Sequence, residues 1–289
     1  MAGWFSFPEH GATAGDLLVR DLACEWLGAA GRSYDIANAS PFPGGVDWRI
    51  ADVDAYSDVV FVCGPFPAES QALALLRRFR GARHVGLNLS MLEGTEGDSG
   101  PFDVLFERDS PATARPDLAF LASPALVPVV GLVLVDPQHE YGTGRYQQVD
   151  EAFRQLAEQR PMARVIIDTR LDISNRSGLG SPGEIESAIA RMDVVLTTRL
   201  HGTVFALKHG VPPVVVDPIP GGAKVQRHAQ TVGWPASLTV DALDHQVLLD
   251  VYDYCLTPEA RDLARGCAKR AVETVFEVRS DFIAVVSNE

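Results

Sequence analysis

Arg199, His201 and Lys224 are the side chains whose types and spacing best suit chemistry. They follow two short apolar runs, Val194-Val195-Leu196 and Val214-Val215-Val216, each of which reads as a buried strand. The first sits in Asp193-Val194-Val195-Leu196-Thr197-Thr198-Arg199-Leu200-His201-Gly202-Thr203, where a strand ends near Thr198 and a helix begins near Thr203. Open parallel sheets bind ligands outside the carboxyl ends of their strands, and the N–H groups opening the next helix favour an anion. Gly202 and Thr203 would supply those groups. Arg199 and His201 alternate around Leu200, so the spacing predicts that both project one way while Leu200 faces the core. An arginine offers a permanent planar fork for carboxylate or phosphate, and a histidine offers a proton near neutral pH. The same residues also fit a plainer arrangement, in which Arg199 pairs with a structural carboxylate and His201 caps the helix. After the next strand, Gly221 and Gly222 let backbone approach a ligand, and Lys224 brings a second cation or is a solvated loop lysine.

In the first half, Gly11-Ala12-Thr13-Ala14-Gly15-Asp16 precedes a helix that the pattern starts near Leu17. Gly15 and Asp16 there either cradle a phosphate or hydroxylated ligand, or Asp16 caps the helix. Arg108-Asp109 follows a strand read over 103–106, and the two side chains form an internal ion pair or line a cleft.

Positioning these residues requires alternating strands and helices. Gly131 to Val135 is a continuous apolar run, and Val149, Ala152, Phe153, Leu156 and Ala157 recur at helical spacing. Residues 164–168 form a further β-branched strand, and Ile185, Ala188, Ile189 and Met192 a further helical stripe behind Ser181-Pro182. Strand–helix alternation implies α/β architecture with parallel sheets. The first half repeats this grammar with a helix over 17–27, a strand over 58–62, a helix over 72–79 and a strand over 85–89. The expected fold is two Rossmann-like, doubly wound domains facing across a cleft, the acceptor side over residues 1–126 and the donor side over residues 127–289. A final helix opening at Thr257-Pro258 is expected to pack back.

Composition bounds the partners. The 289 residues are 46% hydrophobic and 22% charged, which suits a folded chain, and the net charge is −13. That acidity argues against nucleic acid as a partner but leaves a small anion open, because distant charges are screened beyond about 10 Å at 0.1 M salt. The cysteines, Cys24, Cys63, Cys255 and Cys267, are scattered and read as buried free thiols in a reducing compartment. No spacing fits a metal site. Residues 119–135 are broken by prolines and too short for a membrane span. With no secretory pattern at the start, the expected location is cytoplasmic.

Taken together, Gly15-Asp16, Arg108-Asp109, Pro116-Asp117-x-Ala119-Phe120, Arg199-Leu200-His201-Gly202 and Gly210-Val211-Pro212 with Lys224 resemble the polysaccharide pyruvyl transferase family. The resemblance implies a GT-B-like fold and transfer of a pyruvyl group from phosphoenolpyruvate to sugar hydroxyls, commonly as a ketal. It places the basic catalytic set on Arg199, His201 and Lys224, with Asp16 and Arg108 as neighbours. Phosphoenolpyruvate is then the donor substrate, a sugar or glycoconjugate the acceptor, and no cofactor is called for. Two departures stand out: Cys63-Gly64-Pro65 replaces a glycine-rich turn, and the loop from Asp217-Pro218 to Lys224 is long. The alternatives are a nucleotide-sugar-dependent glycosyltransferase and a catalytically silent sugar-binding relative. Sequence leaves the acceptor and the oligomeric state open.

Overall fold

The computed structural model describes residues 1–66, 70–91, 100–110, 114–135, 144–173, 175 and 177–287. Residues 91–101, whose glycines, acids and hydroxyls predict a loop, lie largely outside those residues, and Asp136-Pro137, whose sequence repeats at Asp217-Pro218, lies wholly outside them. The chain divides into two units, Met1–Ala125 and Leu126–Glu289. Both are α/β with parallel sheets.

Unit 1 holds β1 (Ala2–Gly3), α1 (Ala14–Ala29), β2 (Asp58–Val62), α2 (Gln71–Arg78), β3 (Arg83–Ser90) and β4 (Val104–Asp109). The strands pair in parallel in the order β1-β2-β3-β4. Phe61 and Val62 of β2 are fully buried, as expected of a strand covered on both faces. Helix α1 begins at Ala14 rather than near Leu17, because Thr13 is its N-cap and Asp16 closes a capping box from the third helical position. Gly15 and Asp16 therefore stand inside the first turn, not ahead of it. Strand β4 also runs on past Phe106, so Arg108 belongs to the strand instead of following it.

Unit 2 holds β5 (Val129–Val133), α3 (Tyr146–Gln159), β6 (Ala163–Ile166), α4 (Pro182–Ile189), β7 (Val194–Thr197), α5 (Leu200–Lys208), β8 (Pro213–Asp217), α6 (Lys224–Thr231), β9 (Ser237–Thr239), α7 (His245–Cys255) and α8 (Pro258–Val286). All five strands are parallel, in the order β6-β5-β7-β8-β9. The order reverses between β5 and β7, which makes their carboxyl ends the switch point of the sheet. Every residue of β7 and β8 is buried. Their apolar side chains pack with Val149, Phe153 and Leu156 of α3 and Leu248 and Tyr252 of α7. Thr257 caps α8 and Pro258 opens it; Ala260, Ala264 and Cys267 then bury one stripe beside α5 and α7. From Val272 onward the large apolar side chains of α8 are exposed. Cys63, Cys255 and Cys267 are buried free thiols, whereas Cys24 is only half-buried.

Candidate functional site

At the switch point of unit 2 two threonines tie the strand ends together. The Thr197 hydroxyl donates to the Val133 carbonyl at 2.8 Å, and the Val135 amide donates to Thr198 Oγ1 at 2.8 Å. Arg199 emerges from that junction as the N-cap of α5, in extended backbone conformation. Its Nε donates to the Leu134 carbonyl at 2.7 Å, and its Nη2 lies 3.4 Å from Asp168 Oδ1. Both side chains are largely buried, at 12% and 8% exposure. Arg170 approaches the other carboxylate oxygen at 3.6 Å and donates its amide to Oδ1 at 3.0 Å. Two guanidinium groups thus share one carboxylate. Arg199 does pair with a carboxylate.

His201 sits in the first turn of α5, exposed, with its ring stacked on Phe205 at 5.8 Å between centroids. Burial, and then the charge of His201, hold His228 below the usual histidine range. His201 does not cap the helix; the N-cap is Arg199, and no side chain caps α5. The helix begins at Leu200 and not near Thr203, so strand alternation does not apply across Arg199-Leu200-His201. Leu200 does pack against the core, while Arg199 tucks inward and His201 faces solvent.

Gly202 and Thr203 serve the fold. A Cβ on Gly202 would stand 2.2 Å from Thr197 Oγ1 and 2.8 Å from Val133 Cγ1. Glycine there lets α5 lie directly on the ends of β5 and β7. Thr203 is fully buried; its amide and hydroxyl both donate to the Arg199 carbonyl, at 3.2 and 3.3 Å. The sequence reading made Thr203 a ligand contact; its polar groups are instead turned to the start of the helix.

Lys224 is placed by a buried carboxylate. Asp217, fully buried at the end of β8, accepts from the amides of Ile219, Ala223 and Gln226 at 3.0, 2.8 and 3.0 Å. These bonds fold the loop and set Lys224 as the first residue of α6. Lys224 and Thr198 line one shallow pocket with Tyr146 and Val135, so the second cation stands beside the residue preceding Arg199. Gly221 and Gly222 have φ of 76° and 78°. Their amides are engaged within the protein, Gly221 donating to Asp241 at 2.6 Å and Gly222 to the Ile219 carbonyl at 2.9 Å. The expected approach of this backbone to a ligand gives way to a loop that folds on itself. Asp241 also pairs with Arg145 at 3.1 Å, which fastens the start of α3 to the same loop.

The remaining predicted residues lie in unit 1. The Asp16 carboxylate accepts from the Thr13 amide and hydroxyl, both at 2.8 Å. Arg108 donates to Asp109 and Asp117, each at 2.7 Å, and to the Ser90 hydroxyl. The internal ion pair is present, and Arg108 also lines a hollow of unit 1 with Trp26, Leu87 and Leu118. Sequence reasoning missed Asp168, Arg170, Tyr146 and Thr198. Asp168 and Thr198 carried one usable signal, a polar residue one or two positions past an apolar strand.

A family model described as polysaccharide pyruvyl transferase matches residues 108–219. Arg108, Arg199, His201, Gly202 and Thr203 fall inside the match, as do Asp168 and Arg170; Gly15, Asp16, Gly221, Gly222 and Lys224 fall outside it. No curated protein matches the chain. Among solved structures, the spinosyn rhamnosyltransferase SpnG is 13% identical over 76% of this chain and 72% of its own, with a TM-score of 0.36. The spinosyn forosaminyltransferase SpnP is 12% identical over 98% of both chains, with a TM-score of 0.36.

Proposed function

We propose, from the match of residues 108–219 to the polysaccharide pyruvyl transferase model, that this transferase moves a pyruvyl group from phosphoenolpyruvate to hydroxyls of a sugar or glycoconjugate. The observation that supports this most is Arg199, held by the Leu134 carbonyl and Asp168 at the switch point of unit 2.

Phosphoenolpyruvate carries a carboxylate and a phosphate, and needs several positive groups around it. Arg199, Arg170 and Lys224 are cationic side chains of this end of unit 2, and His201 adds another when protonated. At 4 Å and an effective dielectric of 20, each such contact is worth about 4 kcal/mol before desolvation. Asp168 and Leu134 hold the guanidinium in one orientation, so little of that gain is lost in ordering it on binding.

In this scheme His201 protonates the methylene carbon, which leaves a cationic centre at the carbon bearing the phosphate. A sugar hydroxyl attacks that carbon and gives its proton to the now neutral His201. Departure of phosphate, assisted by Arg199 and Lys224, lets a neighbouring hydroxyl close a cyclic ketal, its proton leaving on the inorganic phosphate. Positioned proton transfer of this kind contributes about 10²- to 10⁴-fold.

Thermal denaturation with added ligand tests the donor. Phosphoenolpyruvate should raise the melting temperature of the wild type and not of Arg199→Ala. A rise with a nucleoside diphosphate and none with phosphoenolpyruvate would overturn the proposal.

A further inference from the structure

We propose that unit 1 carries a ligand site of its own, a hollow of about 600 Å³ at the carboxyl ends of β1 and β2, built to take the ring of a neutral, hydroxyl-rich sugar. Trp4, His10, Thr13, Asp16, Gly64 and Pro65 line it.

The first reason is the ring of His10, which is exposed and rests on the buried Trp4 ring at 4.9 Å between centroids, tilted by 34°. Aromatic faces carry partial negative charge, and the C–H face of a pyranose is apolar and weakly positive, so the two surfaces complement each other. The second reason is an unmet donor. Trp4 is only 9% exposed, yet its indole N–H has no acceptor among the described residues. That N–H lies against Gly64, where a Cβ would stand 2.2 Å from it. A buried donor without a partner is costly, and a hydroxyl entering over Gly64 would satisfy it.

The third reason is charge. Asp16 is the one carboxylate among the described residues that line the hollow, and neither Lys nor Arg lines it. A phosphate or carboxylate would be repelled, whereas a neutral polyol would not. Both Thr13 bonds fall on Asp16 Oδ2, which leaves Oδ1 to accept from a ligand hydroxyl. Backbone shape keeps the space open: Cys63 and Gly64 have successive positive φ angles of 64° and 77°, turning the chain sharply out of β2. Burial pushes the Cys63 thiol up to about 12, so it stays protonated and takes no part as a nucleophile.

As the seat of the acceptor, this site rests on the pyruvyl-transfer reading above; as a sugar site it stands on unit 1 alone. Saturation-transfer NMR with the methyl glycosides of glucose, galactose, mannose and N-acetylglucosamine tests it on the full chain, alongside thermal shift with phosphoenolpyruvate. At least one glycoside should receive saturation at its ring C–H protons. His10→Ala should weaken that glycoside about tenfold, the loss of one aromatic contact. Asp16→Asn, which keeps an acceptor for the helix cap, should weaken it also, and both variants should keep the wild-type response to phosphoenolpyruvate. Absence of binding by any glycoside, or equal binding by wild type and both variants, would overturn the site. Phosphoenolpyruvate binding without glycoside binding would remove this site and leave the pyruvyl reading standing. Glycoside binding that needs His10, with no response to phosphoenolpyruvate, would keep the site and overturn that reading.

Discussion

At the carboxyl end of β7 the Arg199 guanidinium is fixed through Nε by a backbone carbonyl and through Nη2 by a buried carboxylate. A lysine has the charge but not the fork. Arg199→Lys should therefore lower kcat/KM for phosphoenolpyruvate about 10- to 100-fold, the worth of one charged hydrogen bond. Its melting temperature should fall little; an unchanged kcat/KM would remove Arg199 from donor binding. Nearby, burial and then His201 depress the His228 titration. The folded protein consequently binds fewer protons at His228 than the unfolded chain does. Its contribution to stability is present above the unfolded value of about 6.5 and is lost as pH falls through the lower folded value. His201→Ala should move the His228 titration upward, read by NMR from its ring protons, with part of the depression remaining from burial. No movement would place the two imidazoles out of electrostatic reach.

Among the elements, α5 and the β8–α6 loop carry His201 and Lys224, two of the residues proposed for the chemistry. Gly202→Ala forces a methyl group to within 2.2 Å of Thr197 Oγ1, and overpacking of this kind costs about 1–3 kcal/mol. The expected result is a lower melting temperature together with reduced turnover, because the turn carrying His201 must shift; a wild-type melting curve would contradict it. Asp217→Ala leaves three amides without their acceptor, and each unmet buried donor costs about 1–3 kcal/mol. A loosened loop should then raise KM for phosphoenolpyruvate through Lys224, beyond any loss of folded protein. Much of this scaffold was legible from spacing alone. The apolar runs became β5, β7 and β8, and Ser181-Pro182 and Thr257-Pro258 opened α4 and α8. Helix starts were harder. Helix α5 has no side-chain cap and carries a glycine in its first turn, so nothing in the pattern marks Leu200 as its beginning. Asp168 was not legible as the partner of Arg199, because it reaches that side chain only when β6 lies beside β5.

Over the whole molecule, the family match begins in β4 of unit 1 and ends just past β8 of unit 2, so it crosses the boundary at Ala125–Leu126. The cationic residues proposed for the donor belong to unit 2, whereas the hollow proposed for the sugar belongs to unit 1. The net charge of −13 does not oppose this division, since the cations that touch a small anion outweigh distant, screened acids. Among the described residues no helix is long and apolar enough to cross a membrane. The central claim is tested most directly by incubating the full chain with phosphoenolpyruvate and a panel of glycosides, then following inorganic phosphate and product mass together. The account predicts phosphate release that depends on a glycoside, is abolished in His201→Ala, and is matched by a product heavier by one pyruvyl group. Phosphate released at the same rate without any glycoside, or in full by folded His201→Ala, would contradict it.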